Sequence, residues 1–212
     1  MGKEVAGGGC TADDFARFRR RLEAETRHAQ AAYFRGAFAN DALVAGFELE
    51  AWLIGRDLLP VPSNVSFLAR LDSPLVVPEL SRFNVELNGT PQPLQGTALS
   101  RLESELAGTW EQCQRVAAAD DSALLAIGTL PTLREEDLSL GNMSPAQRYA
   151  VLNEQILRLR GGNPLSLNIS GIDRLSTTHS DVMLEAATTS FQVHLQVPAG
   201  EAARAYNASL IL

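Results

Sequence analysis

The sequence predicts an α+β fold, an antiparallel sheet with helices packed on one of its faces. Residues 82–88 and 190–198 alternate apolar with polar side chains, the period-two pattern of strands that turn one face to a core, and residues 44–53 are a strand-like apolar run interrupted by two carboxylates one residue apart. Residues 11–38 and 97–119 instead space their apolar side chains at helical intervals. The chain has 212 residues, 45% of them hydrophobic, enough to bury a substantial core within one domain.

Charge and cysteine content remove several classes of function. With 18 basic against 25 acidic residues the net charge is -7, and no Lys/Arg cluster is interleaved with aromatics, so nucleic acid is not an expected partner. Cys10 and Cys113 make neither a disulfide framework nor a metal-ligand spacing, which fits a reducing cytoplasm. No apolar run is long enough to span a bilayer, so no membrane association is expected. Residues 1–10 have no apolar signal region and read as a flexible leader.

Taken in order, Thr11-Ala12-Asp13-Asp14 opens a long helix expected to reach about Phe38. Its Phe15, Phe18, Leu22 and Tyr33 lie along one stripe. Arg17, Arg19, Arg20 and Arg21 point elsewhere and read as a solvated face in preference to an anion site. After Asn40-Asp41 comes the strand Val44-Ala45-Gly46-Phe47-Glu48-Leu49-Glu50-Ala51-Trp52-Leu53. Glutamate is disfavoured in strands, yet Glu48 and Glu50 both occur here, on the face opposite Phe47, Leu49 and Ala51. Side-by-side carboxylates need solvent, a divalent cation, a basic side chain or a shared proton. Gly55-Arg56-Asp57 reads as a turn into a return strand reaching Pro60-Val61-Pro62, and a short helix carrying Phe67, Leu68 and Leu71 follows.

The second acidic strand, Arg82-Phe83-Asn84-Val85-Glu86-Leu87-Asn88, places Phe83, Val85 and Leu87 on one face and Arg82, Asn84, Glu86 and Asn88 on the other. Leu99, Leu102, Leu106, Trp110, Cys113 and Val116 then mark a helix, and residues 123–128 a buried strand. Ser144-Pro145-Ala146-Gln147 has the form of a capping box, opening a helix with Arg148 and Tyr149 in its first turns and ending at Gly161-Gly162. Residues 163–181, with His179, form a long polar connection of the kind that carries function. In the last alternating strand Phe191, Val193, Leu195 and Val197 face a core, while Gln192, His194 and Gln196 face away. The apolar helical pattern of residues 202–211 stops at Leu212 without a capping residue, as if cut.

There is no phosphate-binding Gly-rich loop of the Walker type. A Ser-His-Asp arrangement using Ser170 or Ser190 with His179 or His194 lacks the context of a nucleophile elbow. What remains is three strands with apolar backs and polar fronts carrying Glu48 and Glu50, Glu86, and His194. If they neighbour one another, the front becomes a wall of carboxylate, imidazole and amide groups. Hard oxygen ligands with one imidazole suit Mg²⁺ or Mn²⁺, and such a set, completed by phosphate oxygens, holds ATP for phosphoryl transfer.

Gly46-Phe47-Glu48-Leu49-Glu50, the run from Phe83 to Pro91, the Arg148-Tyr149 helix and Thr189-Ser190-Phe191-Gln192-Val193-His194-Leu195 occur in an order that resembles the glutamate-cysteine ligase family, in its plant and proteobacterial branch and the related carboxylate-amine ligases. The resemblance implies a glutamine-synthetase-like catalytic fold whose antiparallel sheet forms a funnel for Mg²⁺-ATP. It further implies phosphorylation of the γ-carboxylate of glutamate, followed by displacement of phosphate by the amine of cysteine. By the same likeness Glu48, Glu50, Glu86 and His194 match metal-binding positions, and Glu79 matches a further acid of the cluster. The plant branch resembles Asn at the position of His194. Asn88, Gln192 and Gln196 are the candidate nucleotide contacts on these faces. Arg148 is the candidate catalytic cation, pairing with a substrate carboxylate or a phosphate, against a plain role as a helix-surface charge. Family members are about twice as long, so residues 11–212 are read as the N-terminal part of a single catalytic domain, expected to lack full turnover alone. The competing readings are a metal-dependent hydrolase, in which the same ligands activate water, and a non-catalytic module that binds Mg²⁺-nucleotide.

Overall fold

The computed structural model describes residues 4, 10–38 and 42–211. Most of the expected leader and the Asn40-Asp41 turn therefore lie outside the described residues. The elements are α1 (Ala12–Phe34), β1 (Val44–Gly55), α2 (Asn64–Leu71), β2 (Val76–Pro78), β3 (Asn84–Asn88), β4 (Gln92–Pro93), α3 (Ala98–Ala118), β5 (Ser122–Leu125), α4 (Gln147–Leu159), β6 (Leu165–Ser170), β7 (Arg174–His179), β8 (Phe191–Gln196) and α5 (Ala202–Ser209), joined in places by short 3₁₀ turns. Among them no helix is long and apolar enough to cross a membrane.

β1 organises the sheet. Along one edge it pairs with β4 and β3, along the other with β8 and β5, and β2 extends the sheet beyond β3. Every pairing is antiparallel. The three polar-fronted strands are thus adjacent, in the order β3, β1, β8. Residues directly opposite each other in an antiparallel pair project to the same face. Glu50 opposite Glu86, Glu48 opposite both Asn88 and Gln192, and Gly46 opposite His194 therefore share one front.

The back is closed by helices. Ala51, Leu53, Val85, Leu87 and Leu124 pack with Phe67 and Leu71 of α2 and with Cys113 and Ala117 of α3. At the upper end of the sheet Ala45 and Phe47 meet Leu102 of α3. Gly89 is required there, because a side chain on it would begin 2.4 Å from the Phe47 ring. The front is polar only at that upper end. Further along β1 the same face carries Trp52 and Ile54, which lie in a second core with Phe83, Leu130, Tyr149 and Met183. The Trp52 ring stacks on Phe83 at 5.5 Å, and its Nε1 donates to the Ile127 carbonyl at 2.9 Å.

Phe83 consequently departs from the face it was expected to share with Val85 and Leu87. Arg82 and Phe83 form a turn ahead of the strand, so period-two geometry begins only at Asn84. Other boundaries also move. α1 ends at Phe34, four residues before Phe38, and buries none of its side chains; Phe18, Leu22 and Tyr33 are exposed. The return strand after Gly55 is reduced to one bridge, Ile54 with Pro60. Ser144 does not cap α4, which has Ala146 at its N-cap. Its hydroxyl instead donates to the Glu79 carbonyl and accepts from the Asn64 Nδ2, bonds within the molecule that outcompete a helix end. Residues 163–181 are largely a two-stranded hairpin of β6 and β7. His179, at its end, is buried beside Glu135 and Thr177. Finally, Phe191, Val193 and Leu195 project to the back as alternation requires, but no described element covers them.

Candidate active site

Glu48 and Glu50 are placed by the length of β1, which carries them past the buried Trp52 end to the open half of the front. Glu86 stands directly across from Glu50. Opposed side chains on paired strands lie about 5 Å apart at Cβ, where two like charges repel. The fold answers with polar partners. Ser190 donates both its backbone N–H and its hydroxyl to the Glu50 carboxylate, each at 2.9 Å. Asn88 Nδ2 donates to Glu86 Oε1 at 2.8 Å.

Glu79 enters from the end of β2, in register with the strand that pairs β3. Burial, the hydrogen bond it shares with Glu86, and the charges of Glu86 and Glu50 push its carboxyl up to about 7. At neutral pH this corner is short of positive charge, and a proton held by Glu79 relieves the repulsion. Across β1, His194 sits opposite Gly46, and its Nε2 lies 3.4 Å from Glu48 Oε2. Gln192 lies opposite Glu48, and Gln196 opposite Val44 farther up the strand.

Arg148 approaches from α4. Its guanidinium stacks over the Tyr149 ring at 4.7 Å, donates to the Tyr149 hydroxyl at 2.8 Å, and reaches the Pro78 carbonyl at 3.4 Å, one residue before Glu79. The Tyr149 hydrogen bond, and after it the fields of Glu4 and Glu79, raise the Arg148 pKa, so it is a permanent cation beside the acidic corner. Burial pushes the Tyr149 hydroxyl up as well.

Two clefts open on this front. The larger, about 720 Å³, runs past Gly46, Glu48, Asn88, Gln192, His194 and Gln196. The smaller, about 290 Å³, is bordered by Glu50, Glu79, Asn84, Glu185, Thr188 and Ser190. Gln192 lines both.

All of the sequence-derived site residues thus fall on one side of one sheet. Among the described residues, no three His, Cys, Asp or Glu side chains already converge tightly enough to hold a cation. Glu48 pairs with His194, while Glu79 and Glu86 gather near Glu50. The donor set nonetheless fits a hard divalent ion. It is rich in carboxylate oxygen, contains one imidazole and no thiolate, and holds the Glu79 carboxyl up near 7 by a repulsion that a cation would relieve.

The model of glutamate-cysteine ligase family 2 (GCS2) matches residues 44–212. The chain belongs to that family. No curated protein and no solved structure matches it. The GCS2 match begins at the first residue of β1 and takes in every strand of the sheet, whereas α1 lies outside it. The α+β architecture with its antiparallel sheet is the one expected for a family member, and membership implies a ligase-type, carboxylate-amine enzyme acting on small molecules.

Three groups at the site escaped sequence reasoning. Ser190, which clamps Glu50, stands one residue before β8 and read as one more polar position. Asn84 shares the Glu86 face but resembled any other polar strand position. Glu185 lies in a 3₁₀ turn, where no periodicity marks it.

Proposed function

We propose that this GCS2 member is an ATP-dependent carboxylate-amine ligase that joins the γ-carboxyl of glutamate to the amine of cysteine. The observation that carries the reading is the register of β3, β1 and β8, which sets Glu86 opposite Glu50 and His194 beside Glu48 in a chain of this family. Glu48, Glu50, Glu79, Glu86 and His194 would hold Mg²⁺ or Mn²⁺. Such an ion, when bound, neutralises phosphate charge during phosphoryl transfer.

In the proposed chemistry a γ-carboxylate oxygen of glutamate attacks the terminal phosphorus of ATP, and the bond to the bridging oxygen breaks to release ADP. The amine nitrogen then attacks the acyl carbon of γ-glutamyl phosphate. Phosphate leaves with the C–O bond pair, and the nitrogen gives up a proton. Asn88, Gln192 and Gln196 offer amide donors and acceptors to the nucleotide along the larger cleft. Arg148, fixed by Tyr149 next to Glu79, supplies a guanidinium to a carboxylate or phosphate arriving at that corner. The pairing of a hard-cation site with small polar substrates agrees with a cytoplasmic enzyme in the glutathione-forming branch of metabolism and with a glutamine-synthetase-like funnel.

The test is ADP formation by the full-length protein supplied with Mg²⁺-ATP, glutamate and cysteine. Glutamate-dependent ADP release is expected, with Glu86→Gln lowering kcat by about 10²-fold or more. No glutamate-dependent release with cysteine or any other amine overturns the reading.

A further inference from the structure

The smaller cleft holds two groups that the proposed reaction has not used. Asn84 is 3% exposed, and its Nδ2 has no hydrogen-bond partner among the described residues. A buried amide donor without a partner is costly, so this one calls for an acceptor in the adjoining space. Glu185 borders the same cleft, and its carboxylate has no hydrogen bond or ion pair among the described residues. The 3₁₀ turn that presents it is anchored, because Met183 and Ala186 on either side of it are buried in the Trp52 core. Neither Lys nor Arg lines the cleft.

An unspent donor and an unspent anionic acceptor, beside the Glu50 and Glu79 carboxylates assigned to the metal, suit a carboxylate oxygen and the ammonium of one amino acid. The nucleotide would extend along the larger cleft at the His194 end and meet this cleft only at the metal-ligand carboxylates Glu50 and Glu79, which leaves the Asn84 and Glu185 side for a second, smaller molecule. The volume of about 290 Å³ is at the low end of small-molecule pockets and suits a single amino acid.

We propose that Glu185 is the specificity residue that receives the α-ammonium of the amino acid whose carboxyl is activated, with Asn84 Nδ2 donating to one of that molecule's carboxylate oxygens. This assignment rests on the ligase reading for the identity of the amino acid. Chemistry decides which of the two substrates Glu185 serves. An ion pair with a carboxylate holds an amine protonated, which is harmless for an ammonium that never reacts. For the acceptor amine, whose lone pair must attack, the same pair would be inhibitory. The carboxyl-bearing substrate is therefore the one that gains from Glu185. Gln192, shared by both clefts, stands where that substrate and the nucleotide would meet.

The test is equilibrium binding of L-glutamate, and of glutarate, which lacks the ammonium, to full-length wild-type protein and to Glu185→Gln. Glu185 is exposed, so the variant is expected to fold; a circular-dichroism melt confirms it. Wild type should prefer glutamate to glutarate by about tenfold or more, the scale of one charge-assisted hydrogen bond. Glu185→Gln should erase that preference while leaving glutarate and Mg²⁺-ATP affinities unchanged. An unchanged glutamate preference in the variant, equal losses for glutamate and glutarate, or an effect confined to cysteine overturns the assignment. Binding is read without turnover, so the two claims fail separately. Discrimination by Glu185 in a protein without glutamate-dependent ADP release supports the site and overturns the ligase reading. Release with unaltered discrimination in Glu185→Gln does the reverse.

Discussion

β3 and β8 flank the same strand, pair with it in the same antiparallel sense and alternate as strictly as each other, yet their surroundings are opposite. On β3, Val85 and Leu87 are 0% exposed; on β8, Phe191, Val193 and Leu195 are 58%, 73% and 51% exposed. The difference lies behind the sheet. α2 and α3 cover β3 and the middle of β1, whereas at the back of β8 α3 only borders an open apolar groove with Phe191 and Val193, which stay largely exposed. The front shows the same asymmetry, since Glu86 is buried and hydrogen-bonded whereas the His194 imidazole is about half exposed. Alternation thus encodes a strand with two unlike faces, and only the neighbouring elements determine whether the apolar face stabilises the fold.

The sharpest way to break this comparison is by truncation. Leu87→Ala should lower the unfolding free energy by about 2–5 kcal/mol, because the closed back of β3 cannot collapse around the lost atoms. A urea midpoint equal to wild type would refute the view that this side carries the stability.

The next effect comes from the half-buried acid on the same side. Glu79 has a folded pKa of about 7 against an ordinary 4.5, so the folded chain binds that proton more tightly than the unfolded one. Without divalent ions, stability should be full below pH 4.5, decline as pH rises towards 7, and level off above it. Glu79→Gln should remove the decline and be more stable than wild type at pH 8 by about 1–3 kcal/mol, measured in EDTA. His194→Gln, on the open side, should change stability by no more than about 0.5 kcal/mol. Equal pH profiles for wild type and Glu79→Gln would remove the half-buried-acid contrast.

Thiol labelling probes the covered back without a substitution. Burial in the α3 core pushes Cys113 up to about 11 and hides it, so a disulfide reagent at pH 8 should modify Cys10 promptly. Cys113 should react only as the molecule opens. The smallest effect belongs to β8, where Val193→Ala should shift stability by no more than about 0.5 kcal/mol. A loss on the Leu87 scale would show that something covers β8 in solution.

Much of the fold was legible in the sequence because it is local. The β1 and β3 alternation, the α3 spacing and the Gly161-Gly162 stop, both in left-handed backbone, follow from short-range geometry. Ser144 misled because a capping motif specifies an available hydroxyl, and the buried Asn64 amide and the Glu79 backbone carbonyl captured it. The hairpin of β6 and β7 was hidden because both its faces are largely exposed, leaving little hydrophobic contrast to read. At the site, carboxylates on strands stood out against composition, whereas Ser190, Asn84 and Glu185 matter through partners or neighbours far away in the chain.

By itself the sequence determined which side chains share a face: Glu48 with Glu50, Asn84 with Glu86 and Asn88, and Gln192 with His194 and Gln196, because strand period is a property of the backbone. Tertiary structure alone decided that Glu86 stands opposite Glu50, that Glu79 and Arg148 join them, and that Trp52 closes one half of the front while the other stays open. Those relations join residues tens of positions apart, and they are set by which apolar surfaces bury one another, a balance over the whole molecule that no local pattern contains.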